Sequence, residues 1–205
     1  MTASRTRVRL GREERRTEIL EEAIRVIGER GFRGFSIREL AQRCAMTDAG
    51  LLHHFGTKID LLLALLDERD RQDADAIAAL LGRDLDRAPA TRGGVLRILI
   101  ALARRNAERP ELVRLYAMLR IEALAPDHPA HAYFRARDEA ARARFAELLA
   151  PIAGDARALA RRVLAALDGL EAQWLQEGCG FDLPAEWQSM IEGLLPLTAT
   201  EEQQP

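Results

Sequence analysis

Aromatic side chains make up only 5% of the 205 residues, so a core must be assembled mostly from Leu, Ala, Ile and Val. The hydrophobic share of 48% and the length are ample for that. The two cysteines, Cys44 and Cys179, lie far apart in unrelated contexts and suggest neither a disulfide framework nor a zinc site. No apolar run approaches the roughly 18 to 20 residues that span a bilayer. Met1–Leu10 carries Arg5, Arg7 and Arg9 with no apolar stretch behind them, and so does not read as a signal peptide. A soluble, cytoplasmic protein with no membrane partner is expected. The chain also lacks a GxSxG elbow, a phosphate-cradling glycine loop, an HExxH pair and a Cys–His pairing in a recognisable context. Neither an enzyme nor a cofactor is therefore expected.

Lysine is nearly absent too: of 30 basic side chains only Lys58 is not arginine. Net charge is −2, unevenly spread. Residues 1–60 hold twelve basic and nine acidic side chains, and the remainder 18 and 23. A mildly basic head on an acidic body suits nucleic-acid contact at one end.

What is present is helical periodicity, punctuated by breakers and without strand-like alternation. The first window runs from Gly11 to Arg30, with Ile19, Leu20, Ala23, Ile24 and Ile27 on one stripe. Gly31 fits its C-terminus, where a left-handed residue is needed. Ser36-Ile-Arg-Glu39 reads as a capping box opening a short helix that ends near Cys44. Thr47 caps a second short helix to about His54, and Thr57 with Asp60 starts a long one to about Leu81. Further helices are expected at Thr91–Glu108, Glu111–Ala125, His131–Leu149, Asp155–Gln176 and Ala185–Leu194, set off by Pro110, Pro126, Pro129, Pro151 and Pro184. The fold expected is all-α with about nine helices. A three-helix DNA-binding head (residues 12–72) would join an effector-binding and dimerisation body (73–198).

Residues 36–55, SIRELAQRCAMTDAGLLHHF, carry the functional signal. Two short capped helices joined by about three residues have the geometry of a helix-turn-helix. Ala41 permits close crossing, Ala45 occupies the turn, and Leu40, Met46 and Leu51 share the apolar contact. The second helix then exposes Thr47, Asp48, Gly50, His53 and His54. Lys58 lies in the first turn of the following helix, where free amides and a compact ammonium can both meet a phosphate. An ordinary pair of packed helices has the same local pattern.

The segments ILEEAIRVIGERGFRGFSIRELAQRCAMT, GLLHHF and Thr57-Lys58 followed by Ile-Asp-Leu-Leu resemble the DNA-binding domain of the TetR family of regulators. The run RVLAALDGLEAQWLQEG (Arg162–Gly178) resembles that family's penultimate helix. The resemblance implies a homodimer that binds a palindromic double-stranded DNA operator and is released by a small-molecule effector. It implies DNA contacts from Ser36, Thr47, Asp48, Gly50, His53, His54, Thr57 and Lys58. Two positions depart from the family pattern. Asp48 stands where a basic or small residue is common, and Leu52 where a Tyr touches phosphate. Asp48 suits the helix dipole and can accept from cytosine N4; His53 and His54 then become candidates for backbone contact, partly protonated beside a polyanion. A helical ligand-binding or interaction module with a degenerate helix-turn-helix is the alternative these departures leave.

Arg5, Arg7 and Arg9 form either a basic arm for a minor groove or a solvated tail. In the body, Ala160, Val163, Leu167, Leu170 and Trp174 recur at spacings of 3, 4, 3 and 4, a packing seam. Trp187, Ile191 and Leu194 repeat it on the last helix. With the resemblance, Val163, Leu167, Leu170, Trp174, Trp187, Ile191 and Leu194 are assigned to a four-helix dimer interface; completion of the monomer core is the other reading. Leu102, Tyr116, Leu119, Phe134 and Phe145 would line an effector pocket in this family, or else are plain core. His128 and His131 beside Asp127 have metal-ligand spacing, but a solvated helix start explains them and no metal is expected.

Overall fold

The computed structural model describes residues 11–68, 70–71 and 91–196, which contain helices and no strand. In chain order these are α1 (Arg12–Gly34), α2 (Ile37–Arg43), α3 (Asp48–Phe55), α4 (Lys58–Glu68), α5 (Arg92–Ala107), α6 (Pro110–Glu122), α7 (His131–Leu149), α8 (Ala156–Gln176) and α9 (Leu183–Leu194). The expected arginine tail, the end of the helix expected to reach Leu81 and the 72/73 domain boundary lie outside the described residues. No single helix among those described is long and apolar enough to cross a membrane.

Side-chain caps set most of the helix starts. Thr91, Asp155 and Asp182 each accept from a backbone amide three residues on, at 3.0 to 3.1 Å, satisfying donors that a helix start leaves orphaned. Thr57 and Asp60 make the full reciprocal box: the Asp60 amide donates to Thr57 Oγ1 at 3.1 Å and the Thr57 amide to Asp60 Oδ2 at 3.0 Å. The box expected at Ser36 is only half made. Ser36 Oγ accepts from the Glu39 amide, but the Glu39 carboxylate pairs with Arg30 and Arg43 instead of reaching back. Pro184 was expected ahead of the last helix and sits inside its first turn, where a missing N–H removes no helical bond.

Two apolar cores result. The first gathers Ile19, Ala23, Val26 and Ile27 of α1, Leu40 and Ala41 of α2, Leu51 of α3 and four leucines of α4. It also takes in Leu115 and Leu119 of α6 and Phe134 of α7. The head is thus not a separately packed domain, because α6 completes its core. The backbones of α1 and α6 approach closely at Gly28, where an added Cβ would lie 3.3 Å from the Glu111 carbonyl oxygen on α6. The second core joins Val95, Leu99 and Ala103 of α5 to Ala160, Val163, Leu167, Leu170 and Trp174 of α8 and Trp187 and Ile191 of α9. The Trp187 indole N–H is buried and donates to the Leu99 carbonyl at 3.0 Å, which removes the penalty of enclosing it.

That second core corrects the expected dimer seam. Val163, Trp187 and Ile191 are wholly buried within one chain, and Leu167, Leu170 and Trp174 nearly so; Leu194 is half-buried against the same core. A 3-4-3-4 spacing selects one face of a helix but does not name its partner, and here the stripe closes into one core with residues of α5, α7 and α9 of the same chain. The outward face of α8 instead carries Arg161, Ala165, Gly169, Ala172 and Gln176, and that of α9 Ser189, Met190 and Gly193.

Gly31 does hold the left-handed position expected of it, at φ 71° and ψ 171°, and α1 kinks there before continuing to Gly34. A Cβ at Gly31 would sit 2.5 Å from Glu122 Oε1 of α6. Gly31→Ala is therefore expected to destabilise the fold by about 1–3 kcal/mol from backbone strain alone. Urea unfolding measures this, and an unchanged midpoint would show that the kink is dispensable.

Candidate nucleic-acid interface

The helix-turn-helix forms from a local cause at each step. Leu40 and Ala41 are buried, α2 ends at Cys44, and Ala45 turns the chain at φ 50°. The Met46 amide closes the turn on the Ala41 carbonyl at 2.8 Å. Thr47 then caps α3 by accepting from the Gly50 amide at 3.1 Å. Leu51 and Phe55 anchor α3 from beneath, with Leu40 and Met46 in the same core. The anchoring leaves Thr47, Asp48, Ala49 and His53 exposed on one short helix, with Gly50, Leu52 and His54 at its margins. Ser36 and Thr57 are exposed at the two flanks. Asp48 has no ion-pair partner among the described residues, leaving its carboxylate open to a donor.

Three features were not legible in the motif. Arg16, a full helix away in sequence, donates to the His54 carbonyl at 3.1 Å and lies 4.4 Å from the centre of the Phe55 ring. It ties the C-terminal end of α3 to α1. Ala49 and, on α2, Arg38 and Gln42 are also exposed; their signal was only that neither helix needs those positions for packing. The third is Lys58. Its ammonium donates to the Phe35 carbonyl at 2.7 Å and lies 4.6 and 4.4 Å from the Phe32 and Phe35 ring centres. Burial lowers its pKa, with Glu122 acting the other way. In this structure it braces the start of α4 rather than extending from it. Burial holds the His54 pKa down, helped by His53, Arg12, Arg15 and Arg16, which opposes the protonation expected beside a polyanion.

The body separates the residues expected to line one effector pocket. Leu119 and Phe134 belong to the first core with Tyr116 beside them, whereas Leu102 and Phe145 pack on the second. Polar contacts link elements of the two cores. Tyr116 and Arg137 both donate to Asp70 Oδ1, at 3.3 and 3.2 Å, and the Tyr116 and Tyr133 hydroxyls meet at 3.3 Å. Arg120 bridges Asp138 and Asp168, and Asn106 donates to Glu171 at 2.6 Å. A cleft of about 240 Å³ lies nearby, between α1, α4 and the start of α6, lined by Thr17, Leu20, Glu21, Glu68, Arg109 and Leu112. His128, expected in a solvated helix start, is instead buried, while His131 Nδ1 lies 2.8 Å from the Ala123 carbonyl oxygen. Among the described residues no three His, Cys, Asp or Glu side chains gather as a metal would require.

The profile described as "Bacterial regulatory proteins, tetR family" matches residues 19–65, the stretch that builds α1 to α4. Over those residues the chain carries the DNA-binding region of the TetR family. The HTH-type transcriptional repressor AcnR of Corynebacterium diphtheriae is 38% identical over 64 residues, 31% of this chain and 34% of that one. The chain spans 34% to 47% of the length of the curated relatives it matches. Solved structures extend the likeness over the body. A TetR-family regulator from Streptomyces coelicolor, SCO4454, superposes with a TM-score of 0.68 at 26% identity, covering 89% of this chain and 94% of that one. The regulator FadR of Bacillus subtilis, in complex with stearoyl-CoA, superposes at 0.73 and 17% identity, covering 87% and 97%.

Burial pushes the Glu171 carboxyl up to about 7, opposed by its hydrogen bond from Asn106. A carboxyl raised in the folded state adds stability at low pH that is lost as pH rises from the unfolded value near 4 through the folded one. Glu171→Gln should accordingly leave the melting temperature unchanged at pH 4 and raise it at pH 8, as read by thermal denaturation. An equal effect at both pH values would refute that assignment.

Proposed function

We propose that this protein is a cytoplasmic, ligand-responsive transcriptional repressor. As a homodimer it would bind a palindromic DNA operator and be released by a small molecule. The observation that carries the reading is α3 itself: capped by Thr47, anchored through Leu51 and Phe55, and left with an outward face of Thr47, Asp48, Ala49 and His53. A helix of eight residues has no stability of its own, and its support by α1, α2 and α4 gives it the rigidity that reading a major groove requires. Ser36, Gly50 and Thr57 flank that face as phosphate and sugar contacts, and the arginine tail (Arg5, Arg7, Arg9) adds minor-groove contacts. His53 and His54 contact the backbone, His54 as a neutral donor, and Asp48 accepts from cytosine N4.

The dimer forms through the outward face of α8 and α9. Nothing lies within 4 Å of a Cβ placed at Gly169 or Gly193, so this surface is open in the single chain and small enough to let helices approach closely. The effector enters the body between α4, α6, α7 and α8, where Asp70, Tyr116, Tyr133 and Arg137 tie α4 to its neighbours. A ligand that displaces those contacts repositions α4, and with it α3. The FadR regulator with bound stearoyl-CoA supports a body able to open around a ligand. A degenerate, non-reading helix-turn-helix has only Asp48 and Leu52 in its favour, and neither disturbs the fold of α3.

Selection of bound duplexes from random DNA should return a two-fold symmetric motif with half-sites about one helical turn apart. Asp48→Ala should change preference at one base step per half-site, and an unchanged motif would remove Asp48 from base reading. Lys58→Ala should weaken binding to every sequence while leaving the salt dependence unaltered, because its ammonium rests on Phe35. A salt slope lower by about 0.9 per site would instead place the ammonium on a phosphate. Gly169→Arg should yield a folded monomer in sedimentation analysis that no longer prefers the symmetric duplex. A variant that remained dimeric would move the interface away from α8.

A further inference from the structure

We infer that the buried His128, together with Glu122, forms a proton-operated coupler between the body and the reading head, through which acidification weakens DNA binding. The inference rests on the DNA-binding reading above.

His128 lies in the connection between α6 and α7, its side chain fully enclosed. Its Nδ1 accepts from the Ala130 amide at 3.2 Å, so in the neutral ring the proton is on Nε2. That buried N–H has no hydrogen-bond partner. Glu122 Oε2 lies 3.8 Å from it, beyond hydrogen-bond reach, and accepts from the Phe32 amide at 2.7 Å. Phe32 follows the left-handed Gly31 that kinks α1, so the Glu122 carboxylate clasps α6 to α1 at the kink. An unsatisfied buried donor in a well-packed protein calls for an explanation, and here it faces the clasp.

The clasp leads to the recognition helix through short contacts. The Phe32 ring meets His128 edge-on at 5.4 Å and Phe35 at 5.8 Å. Lys58 sits over both phenyl rings and donates to the Phe35 carbonyl. Only Gly56 and Thr57 separate Lys58 from the end of α3. Protonation of His128 would convert a 3.8 Å approach into an ion pair and draw the carboxylate off the Phe32 amide. The kink is then released, and with it the phenyl platform on which Lys58 and the start of α4 rest. Three charged groups act on the imidazole: Glu122 from α6 and Asp127 from its own connection favour the proton, while Arg33 from α1 opposes it. Burial is the largest influence and lowers the pKa, so the ring is neutral at pH 7 and the switch operates below the ordinary histidine range.

The sign separates this device from ordinary titration at the interface. A histidine facing DNA strengthens binding when protonated, whereas His128 weakens it. The test measures affinity for the selected duplex by fluorescence anisotropy from pH 7.5 to 5.0 at constant ionic strength, in a His53→Asn background, with circular dichroism confirming a folded protein throughout. Affinity should fall at least about fivefold, the low end of a normal coupling. His128→Gln should bind as tightly as its parent at pH 7.5 and lose the fall. Glu122→Gln, which keeps an acceptor for Phe32 but no charge for an imidazolium to attract, should lose it too. Linkage supplies an independent reading: adding duplex must lower the His128 pKa followed by NMR. Binding at pH 7.5 with a pH profile shared by parent and both variants, or a His128 titration unmoved by DNA, would overturn the coupler and leave the DNA-binding reading intact. Absence of any duplex binding at pH 7.5 would overturn both.

Discussion

The packing of α1 against α6 is the constraint on which the rest of this structure depends. Gly28 lets the two backbones approach until a methyl group would press on the Glu111 carbonyl, and Gly31 makes room for the Glu122 carboxylate at the kink. Leu115 and Leu119 of α6 then complete the core that α1 opens with Ile19, Ala23 and Ile27. Each such buried side chain contributes about 1.5–3 kcal/mol relative to an exposed one. The helices α1 to α4 therefore share their core with the body. Covalent continuity through α4 is the second tie between them, and the α1–α6 contact prevents α4 from acting as a free hinge.

That arrangement explains how a short recognition helix is held with little local material. Arg16 closes one end of α3, Thr47 the other, and Leu51 and Phe55 pin the underside. Beyond its end, Lys58 rests on Phe32 and Phe35. Arg16, Phe32 and Phe35 belong to α1 or to the turn after it, and α1 in turn is held by α6. A change in α6 reaches α3 through packed side chains rather than through a flexible linker, which is the physical condition for two sites to share a two-state element.

The polar contacts that join the two apolar cores have a different character. Burying Arg137 and Glu171 is unfavourable unless each group is compensated, and the compensation crosses between elements: Asp70, beyond the end of α4, with Arg137 of α7, Arg120 of α6 with Asp168 of α8, Asn106 of α5 with Glu171 of α8. An apolar filling would hold these helices together more simply. Charged cross-links instead make the relative positions of α4, α6, α7 and α8 sensitive to anything that competes for a carboxylate or a guanidinium.

Much of the helical plan was legible in the residues themselves, because capping and breaking are local events. His131–Leu149 needed no tertiary information, nor did the Thr47 and Thr57 caps or the left-handed Gly31, since each follows from bonds made within a few residues. The helix-turn-helix was legible for the same reason, its two helices being adjacent in sequence. Partnership was not. The seam of Val163, Leu167, Leu170 and Trp174 was visible as a stripe, but a stripe carries no address, and only the fold showed that helices of the same chain close over it. Tyr116 and Phe145 looked alike as candidate pocket residues until packing placed them with different cores. His128 shows the limit most clearly. Flanked by prolines and next to an aspartate it reads as solvated, yet the α1 kink, the Phe32 ring and Glu122 arrive from up to 96 residues away in sequence and close over it. Local chemistry determined which helices form and where they end; long-range contact alone decided which faces are buried, and therefore which groups remain free to act.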